Sequence, residues 1–216
     1  MGILTIASSK GGPGKTTIAM LLAASMAENG VRVVAIDADP TRSLHRWAQN
    51  TYEGPAFECF AEAEERALGR LIREHAADAD LVIVDTAGFG NRSAALAMTA
   101  ASAVLIPALP GEADVTEAEN THELLQTYAA AAGKTIPGRL LFNRFSPRLA
   151  VSRHAQAEAD RVGLQRLSAT LSHLVAFSEM SFSGRLPKTG AAGEERMGLV
   201  TELQQLGWLP SNRAGI

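Results

Sequence analysis

Short apolar runs alternate with longer segments of helical periodicity along nearly the whole chain. The apolar runs are almost unbroken, and regular alternation of hydrophobic with polar residues is rare within them. This pattern is typical of parallel strands that helices cover on both faces. The runs that predict strands are residues 3–8, 31–37, 56–60, 80–87, 103–109, 139–145 and 164–171.

Helical periodicity fills the intervals between the predicted strands. The first helix is expected from Lys15 to about Asn29, because its apolar residues form one stripe and Gly30 follows in the position of a C-terminal cap. Alternating strands and helices of these lengths predict an α/β fold with a doubly wound, mostly parallel sheet flanked by helices. Its ligand should bind at the carboxyl ends of the strands. The other predicted helices are residues 42–50, 63–77, 91–101, 113–132, 148–162 and 196–206.

The chain is expected to form a single domain. With 216 residues, of which 46% are hydrophobic, it can bury one substantial core, which we place in residues 1–209. Residues 181–193 have the composition of a loop and predict a mobile connection before the last helix. Residues 210–216 are expected to form a flexible C-terminal tail.

Charge and cysteine content narrow the functional classes. The formal net charge is −3, so any surface for nucleic acid must be a local patch. Cys59 is the only cysteine, which excludes an intrachain disulfide and a Cys-rich metal site within one chain. No apolar run reaches eighteen residues and no signal-peptide pattern opens the chain. We therefore expect a cytoplasmic protein without a stable membrane anchor.

The segment "GGPGKT" follows the first predicted strand and opens the first predicted helix. Glycines let the backbone bend so that its N–H groups face an anion, and the helix adds the positive end of its dipole. In such a loop Lys15 contacts the β- and γ-phosphates of a nucleotide, and the Thr16 hydroxyl ligates Mg²⁺. The alternative is a glycine-rich turn without a ligand. The predicted nucleotide-binding residues of this loop are Gly11, Gly12, Pro13, Gly14, Lys15, Thr16 and Thr17.

Three acidic residues end predicted strands. Asp37 and Asp39 close the second strand and Asp85 closes the fourth, so all three should lie near the loop after the first strand. One carboxylate there can hold a magnesium-bound water, and another can orient the water that attacks a phosphoryl group. For Asp39, capping of the following helix is an alternative interpretation.

Three motifs, "KGGPGKTT", "DADP" and "VDTAG", resemble the deviant Walker A, Walker A′ and Walker B motifs of the ParA/MinD family of P-loop ATPases. The short length and the segment "DADPTRSLHRW" resemble the small plasmid-partition ParA proteins and their VirC1-like relatives. The likeness covers residues 1–110 closely and can be traced to about residue 205. It implies an ATPase that uses ATP and Mg²⁺, with Thr16, Asp37 and Asp85 at the metal and with Asp39 polarising the attacking water.

The resemblance also assigns roles to residues outside these acids. In this family a lysine at the position of Lys10 reaches across a nucleotide-sandwich homodimer to the phosphates of the other subunit, so Lys10, Lys15 and Asp39 are the expected catalytic residues. Gly88 begins the segment that senses the γ-phosphate. Asn143 and Arg144 lie where family members contact the adenine, although a buried asparagine that satisfies a loop is the competing interpretation for Asn143.

A partition function follows from the same resemblance. Family members bind nucleoid DNA non-specifically as ATP-bound dimers, and a ParB-like or other centromere-binding partner stimulates their slow hydrolysis. The chain has only four lysines, so DNA contact would depend on a few exposed cations, for which an ordinary solvated surface is the alternative. The candidates are Arg185, Lys188 and Arg196.

Two other functions use the same scaffold. A MinD-like role at the membrane requires a basic amphipathic C-terminal helix, and residues 197–209 have no lysine or arginine. A small-molecule kinase or ligase would need a charged substrate pocket and has no evident use for Lys10. A partition ATPase is therefore the function that the sequence favours.

Overall fold

Six strands form one parallel sheet in the computed structural model, which describes residues 2–88 and 92–211. Their order across the sheet is β3-β2-β4-β1-β5-β6, and every neighbouring pair is parallel. The predicted doubly wound α/β class is therefore confirmed. The strands are β1 (Gly2–Ile6), β2 (Val33–Ala38), β3 (Glu58–Ala61), β4 (Leu81–Thr86), β5 (Ala103–Ala108) and β6 (Gly138–Phe142).

Helices cover both faces of this sheet. One face packs against α1, α2, α7 and α8, and the other packs against α3, α4, α5 and α6. These two layers explain why the strand sequences are apolar almost without interruption. The helices are α1 (Lys15–Glu28), α2 (Ser43–Asn50), α3 (Glu65–Asp78), α4 (Arg92–Ala100), α5 (Glu112–Ala131), α6 (Ala150–Arg161), α7 (Val175–Ser183) and α8 (Gly190–Gln205).

Helix α1 is the central helix of the first layer. Every residue from Ile18 to Ala27 is buried, so the helix is enclosed around its whole circumference rather than along one stripe. It contacts the sheet on one side and α2, α7 and α8 on the others. Because α1 begins directly after the glycine-rich loop, this burial fixes the position of the loop.

The run 164–171, predicted as a seventh strand, is not a strand. It touches β6 only through isolated bridges that join Leu140 to Arg166 and Asn143 to Leu171. Between the bridges the backbone N–H groups of Ser168 and Ala169 donate to the Glu202 carboxylate of α8. A single side chain from a distant helix thus replaces part of the ladder that the apolar pattern predicts.

The predicted loop 181–193 is largely helical, because α7 extends to Ser183 and α8 begins at Gly190. Helix α7 was not predicted from the sequence. It has nine residues and is anchored by the Trp47 indole N–H, which donates to the Met180 carbonyl at 2.8 Å. Glycine in α8 reflects close packing rather than a loop, since a Cβ on Gly193 would lie 2.6 Å from the Lys188 carbonyl carbon.

The C-terminal end of the described chain packs on the domain. Trp208 and Leu209 are buried, and the Gln204 side chain donates to the Pro210 carbonyl at 2.8 Å. Most of the predicted tail, residues 212–216, lies outside the described residues. Within residues 2–88 and 92–211, no helix combines the length and the apolar character that crossing a bilayer requires.

Gly184 and Gly190 form a matched pair that tests the packing of the 184–189 connection. Both have left-handed backbone, with φ of 67° and 65°. A Cβ on Gly184 would overlap the Thr51 carbonyl, whereas a Cβ on Gly190 would meet nothing within 4 Å. We expect Gly190→Ala to cost about 1 kcal/mol of stability from backbone strain alone, and Gly184→Ala to cost more than about 3 kcal/mol. Urea unfolding of both variants checks this, and equal losses would contradict it.

Candidate nucleotide-binding site

The glycine-rich loop connects β1 to α1 at the carboxyl edge of the sheet. Gly12 and Gly14 adopt left-handed backbone, with φ of 93° and 95°, which side chains disfavour. Gly14 is constrained a second time, because a Cβ there would overlap the amide nitrogen of the Asn143 side chain. The loop therefore has the backbone curvature of an anion cradle at the N-terminus of a buried helix.

Lys15 is the cation at the base of this loop. Its side chain is buried, and its ammonium group donates to the Lys10 carbonyl at 3.1 Å. Burial lowers the pKa of Lys15, while the charges of Asp85 and Asp39 oppose that shift. A buried ammonium with only partial compensation is favourably placed to receive an anion.

Asp85 is the most deeply buried acid of the site. It ends β4, lies opposite Ile6 of β1 and Asp37 of β2 in the register, and is 0% exposed. Burial raises its pKa to about 7, although the neighbouring Thr16 hydroxyl and Lys15 ammonium lower it. Among the described residues, neither of its carboxylate oxygens has a hydrogen-bond partner of good geometry. This acid lacks the compensation that a bound cation would supply.

Asp37 is buried as deeply but is satisfied by the backbone. One carboxylate oxygen accepts from Asp39 N at 3.1 Å, and the other accepts from His45 N at 2.9 Å in the first turn of α2. Burial raises the pKa of Asp37, and these N–H groups lower it. The helix-capping role considered for Asp39 thus belongs to Asp37. Asp39 accepts from Thr41 N at 2.8 Å in the loop before α2.

These residues fit a magnesium ion that is held together with a nucleotide. Within the described residues no three acidic, histidine or cysteine side chains are grouped as a metal site on their own. Mg²⁺, however, keeps several waters and is usually bound by one or two carboxylates plus phosphates. Asp85, Asp37 and the Thr16 hydroxyl beside Asp85 supply that smaller set of donors. The orphaned Asp85 carboxylate supports their assignment to the metal.

Lys10 lies at the mouth of the loop, and its side chain extends to α5. Its ammonium group forms an ion pair with Asp114 of α5 at 3.1 Å, and its side chain is 47% exposed. The hydroxyl of the preceding residue, Ser9, donates to the Glu117 carboxylate at 2.6 Å, and its backbone N–H donates to the Thr121 hydroxyl at 3.0 Å. Helix α5 therefore holds the beginning of the loop.

Asn143 directly follows β6 and contacts the loop through its side-chain amide. Its amide nitrogen donates to the Pro13 carbonyl at 2.8 Å, and its amide oxygen accepts from Arg144 N at 2.9 Å. The structure thus shows the loop-satisfying role, and contact of Asn143 with adenine stays a prediction. Arg144 has a left-handed φ of 55°.

A cavity of about 190 Å³ lies beside the start of α1 and the Asn143 side chain. Gly14, Thr17, Asn143 and Arg144 line it. The other lining residues, which the sequence did not indicate, belong to the segment before α7 and to α7 itself: Ser172, His173, Leu174, Phe177, Ser178 and Ser181. The cavity continues from the phosphate cradle, which is the position that the sugar and base of a nucleotide would occupy.

Gly88 follows β4 and lies over the loop, since a Cβ on it would be 3.8 Å from Gly11 N. The predicted phosphate-sensing segment begins here and continues into residues 89–91, which lie outside the described residues.

The three predicted DNA-binding residues do not form one surface. Arg196 is only 8% exposed, donates to the Ser25 hydroxyl at 3.2 Å and pairs with Glu28 at 3.7 Å, so we correct its assignment. Arg185 and Lys188 remain exposed, although each pairs with an acid.

Comparison with known proteins gives the family. The family of VirC1 proteins matches residues 1–198. The chain belongs to this family. The ParA protein of Rhizobium radiobacter is 32% identical over 190 residues, which cover 86% of this chain and 85% of that protein. The resemblance to ParA and VirC1 partition ATPases that the motifs indicated is therefore confirmed.

Solved structures confirm the fold. A McdA variant from Cyanothece in complex with ATP has a TM-score of 0.79 at 18% identity, with 98% of both chains covered. MinD from Pyrococcus horikoshii in complex with Mg-ADP has a TM-score of 0.74 at 20% identity, with 95% of this chain and 97% of that chain covered.

We expect substitution by Asn to change the stability of the ligand-free protein in opposite directions at Asp85 and at Asp37. Asp85→Asn removes an uncompensated buried charge, so the ligand-free protein should gain about 1–3 kcal/mol at pH 8, where the native carboxylate is ionised. Asp37→Asn replaces an oxygen that accepts an N–H by an amide donor, so it should lose a similar amount. Thermal melts of both variants check this.

Adding Mg-ATP to the same samples completes the test. Wild-type protein should be stabilised, whereas Asp85→Asn should lose most of that stabilisation despite its higher starting stability. An Asp85→Asn protein that is less stable than wild type without ligand would contradict our account of the buried carboxylate.

Proposed function

We propose that the chain is a partition ATPase that binds ATP with Mg²⁺, pairs face to face with a second copy, and hydrolyses ATP slowly until a partner protein stimulates it. The observation that carries this proposal is the difference in burial between two lysines of the loop. Lys15 is buried beneath its own phosphate loop, whereas Lys10 is half exposed at the mouth of the loop. A single nucleotide site uses the first cation and leaves the second available for another subunit.

The nucleotide would be held mainly by the loop. Its N–H groups, the dipole of α1 and the Lys15 ammonium face the phosphates, and Asp37, Asp85 and Thr16 would hold the metal. When bound, Mg²⁺ neutralises negative charge that develops on the transferred phosphoryl group. The ATP and Mg-ADP complexes of the McdA and MinD neighbours support these cofactors.

Asp39 would orient the water that attacks the γ-phosphate. It lies two residues beyond the buried Asp37, and its carboxylate is fixed by the hydrogen bond from Thr41 N. A carboxylate held in this way can accept a hydrogen bond from water and direct a lone pair toward phosphorus. Gly88, whose Cα lies close to the loop, would report the γ-phosphate to the segment that follows.

Lys10 would change partners when two loaded protomers meet. In its ion pair with Asp114 the Lys10 side chain is 47% exposed, and pairs with a solvated partner contribute little stability. Two triphosphates brought together across an interface concentrate far more negative charge than one aspartate. Exchange of Asp114 for the phosphates of the second copy is therefore favourable, and ATP acts as the ligand that stabilises the dimer.

DNA binding would depend on Arg185 and Lys188 beside the 184–189 connection. Their side chains are 75% and 67% exposed, and their partners are Glu53 and Glu28. Surface pairs of this kind exchange readily for DNA phosphates, which bind without sequence specificity. Pairing of two protomers would double the number of contacts.

Packing of α8 disfavours a MinD-like membrane role. The apolar residues Leu199, Val200 and Leu203 are buried in the core that surrounds α1, so they are not available for a lipid surface.

Substitution of the two lysines should separate nucleotide binding from dimerisation. Lys15→Ala should abolish ATP binding, because the phosphates lose their buried cation. Lys10→Ala should bind ATP within about threefold of wild type, since an exposed lysine contributes little to the monomer site, yet should stay monomeric. Light scattering with a non-hydrolysable ATP analogue and Mg²⁺ measures the assembly, and calorimetry measures the affinity.

A Lys10→Ala protein that dimerises and hydrolyses ATP at the wild-type rate would disprove the cross-subunit role. If wild-type turnover rises on adding a small metabolite but not on adding DNA or a partner protein, a kinase or ligase is the better interpretation.

Double substitution of Arg185 and Lys188 by Ala should weaken DNA binding of the ATP-bound protein. The test uses the background Asp39→Ala, in which we expect ATP to be bound but not cleaved. The slope of log affinity against log salt concentration should fall in magnitude by about 0.9 for each phosphate contact that is lost. Arg70→Ala is the control, since Arg70 is equally exposed on α3 and pairs with Glu74. A salt slope that changes equally in both proteins would exclude this surface.

A further inference from the structure

Residues 164–171 run beside β6 and lead into the cavity at the start of α1. Leu167 N donates to Leu140 O at 2.8 Å, and Leu171 N donates to Phe142 O at 3.0 Å, so the chain follows β6 at two points. The residues between these points leave the ladder. The segment 172–181, which we call the cavity wall, begins directly after the second contact.

Two glutamates of α8 accept hydrogen bonds from this segment where it no longer pairs with β6. Glu202 accepts from Ser168 N at 2.8 Å and from Ala169 N at 2.7 Å. Glu195 accepts from Ser172 N at 2.7 Å and from the Ser172 hydroxyl at 2.6 Å. The two glutamates are seven residues apart, or about two helical turns, so they project from the same face of α8. Each of these hydrogen bonds has an ionised acceptor and belongs to the stronger class.

Helix α8 is a rigid support for these carboxylates. Leu199 and Leu203 are fully buried against the layer that contains α1, and Arg196 fixes the helix to Ser25 and Glu28 of α1. Helix α1 in turn begins at the phosphate loop. The position of Ser172 is therefore set relative to the loop through α8 and α1, as well as through the edge of the sheet.

We propose that Glu195 is a positioning residue for recognition of the nucleotide base, which rests on the proposed ATP site. Glu195 does not line the cavity. It fixes Ser172, the first residue of the cavity wall, and through it the start of the wall, which lines the same cavity as Gly14 and Asn143. Loss of this carboxylate would let the wall move away from the base, while the phosphate cradle on the other side keeps its geometry.

Glu202 provides a matched control on the same helix. Its carboxylate also accepts backbone N–H groups from the segment that follows β6. Its partners Ser168 and Ala169, however, do not line the cavity. Both glutamates should contribute to stability. Only Glu195 should affect how the base is bound.

The experiment compares two ligands that share their phosphates, Mg-ATP and Mg-tripolyphosphate, by calorimetry. Glu195→Ala should bind ATP about tenfold more weakly than wild type, and its affinity for tripolyphosphate should stay within about twofold. Glu202→Ala should bind both ligands within about twofold of wild type, even where its melting temperature falls as far. Glu195→Gln, which keeps one acceptor oxygen and the length of the side chain, should recover most of the ATP affinity.

Each other result decides against the inference. Equal losses of ATP affinity in Glu195→Ala and Glu202→Ala would show a general structural effect, and equal losses for both ligands would show a damaged phosphate loop. If Glu195→Ala does not fold, Glu195→Asp replaces it, because its shorter side chain displaces Ser172 while keeping the charge, and unchanged ATP affinity there overturns the proposal. Wild-type protein that binds tripolyphosphate as tightly as ATP would overturn this inference alone, whereas failure to bind either ligand would overturn the proposed function as well.

Discussion

Burial of three charged side chains at one edge of the sheet is the constraint on which the site depends. Lys15, Asp37 and Asp85 lie beneath the glycine-rich loop, where desolvation acts against every ionised form. Asp37 is compensated by two backbone N–H groups, and Lys15 by nearby carboxylates and a carbonyl. Asp85 is not compensated to the same degree. The ligand-free protein therefore retains an unfavourable charge that a bound cation would relieve, and binding and stability are linked through this one residue.

The sheet could be predicted because its strands are buried on both faces and their apolar pattern is local. The interrupted run 164–171 shows where that reasoning fails. Its composition is that of a strand, yet the N–H groups of Ser168 and Ala169 donate to Glu202, more than thirty residues further along the chain, and no local pattern records that partner. Helix α7 and the beginning of α8 were missed for a related reason, since Gly193 is required by contact with Lys188 rather than by a loop. Long-range contacts decided each of these segments.

In the candidate site, too, some positions could be predicted from local sequence and others depended on long-range contacts. Phosphate and metal binding restrict the spacing of the glycine-rich loop and of the acids at the strand ends. Their places at the carboxyl edge of the sheet could therefore be predicted from the sequence. Arg196 was misplaced because a charge in a sequence does not show whether it is buried, and Glu28 and Ser25 of α1 bury it. Asn143 was located correctly at the end of β6, but its amide is engaged by Pro13 and Arg144, which only the folded chain brings to it. Ser172 had no sequence signal, because its partner Glu195 is 23 residues further along the chain.

Contacts to the phosphate loop differ in how easily they can change. Asn143 and Ser9 hold the loop through short hydrogen bonds that are partly buried, and the buried Lys15 holds it through the Lys10 carbonyl. In the ion pair between Lys10 and Asp114 the Lys10 side chain is 47% exposed, so water can solvate its ammonium group at little cost when the pair opens. A nucleotide that enters this site consequently meets a loop whose curvature is already set and one cation whose partner can be exchanged. In the proposed dimer, rearrangement would begin at Lys10, because the contacts of Asn143, Ser9 and Lys15 are more buried and would cost more to break.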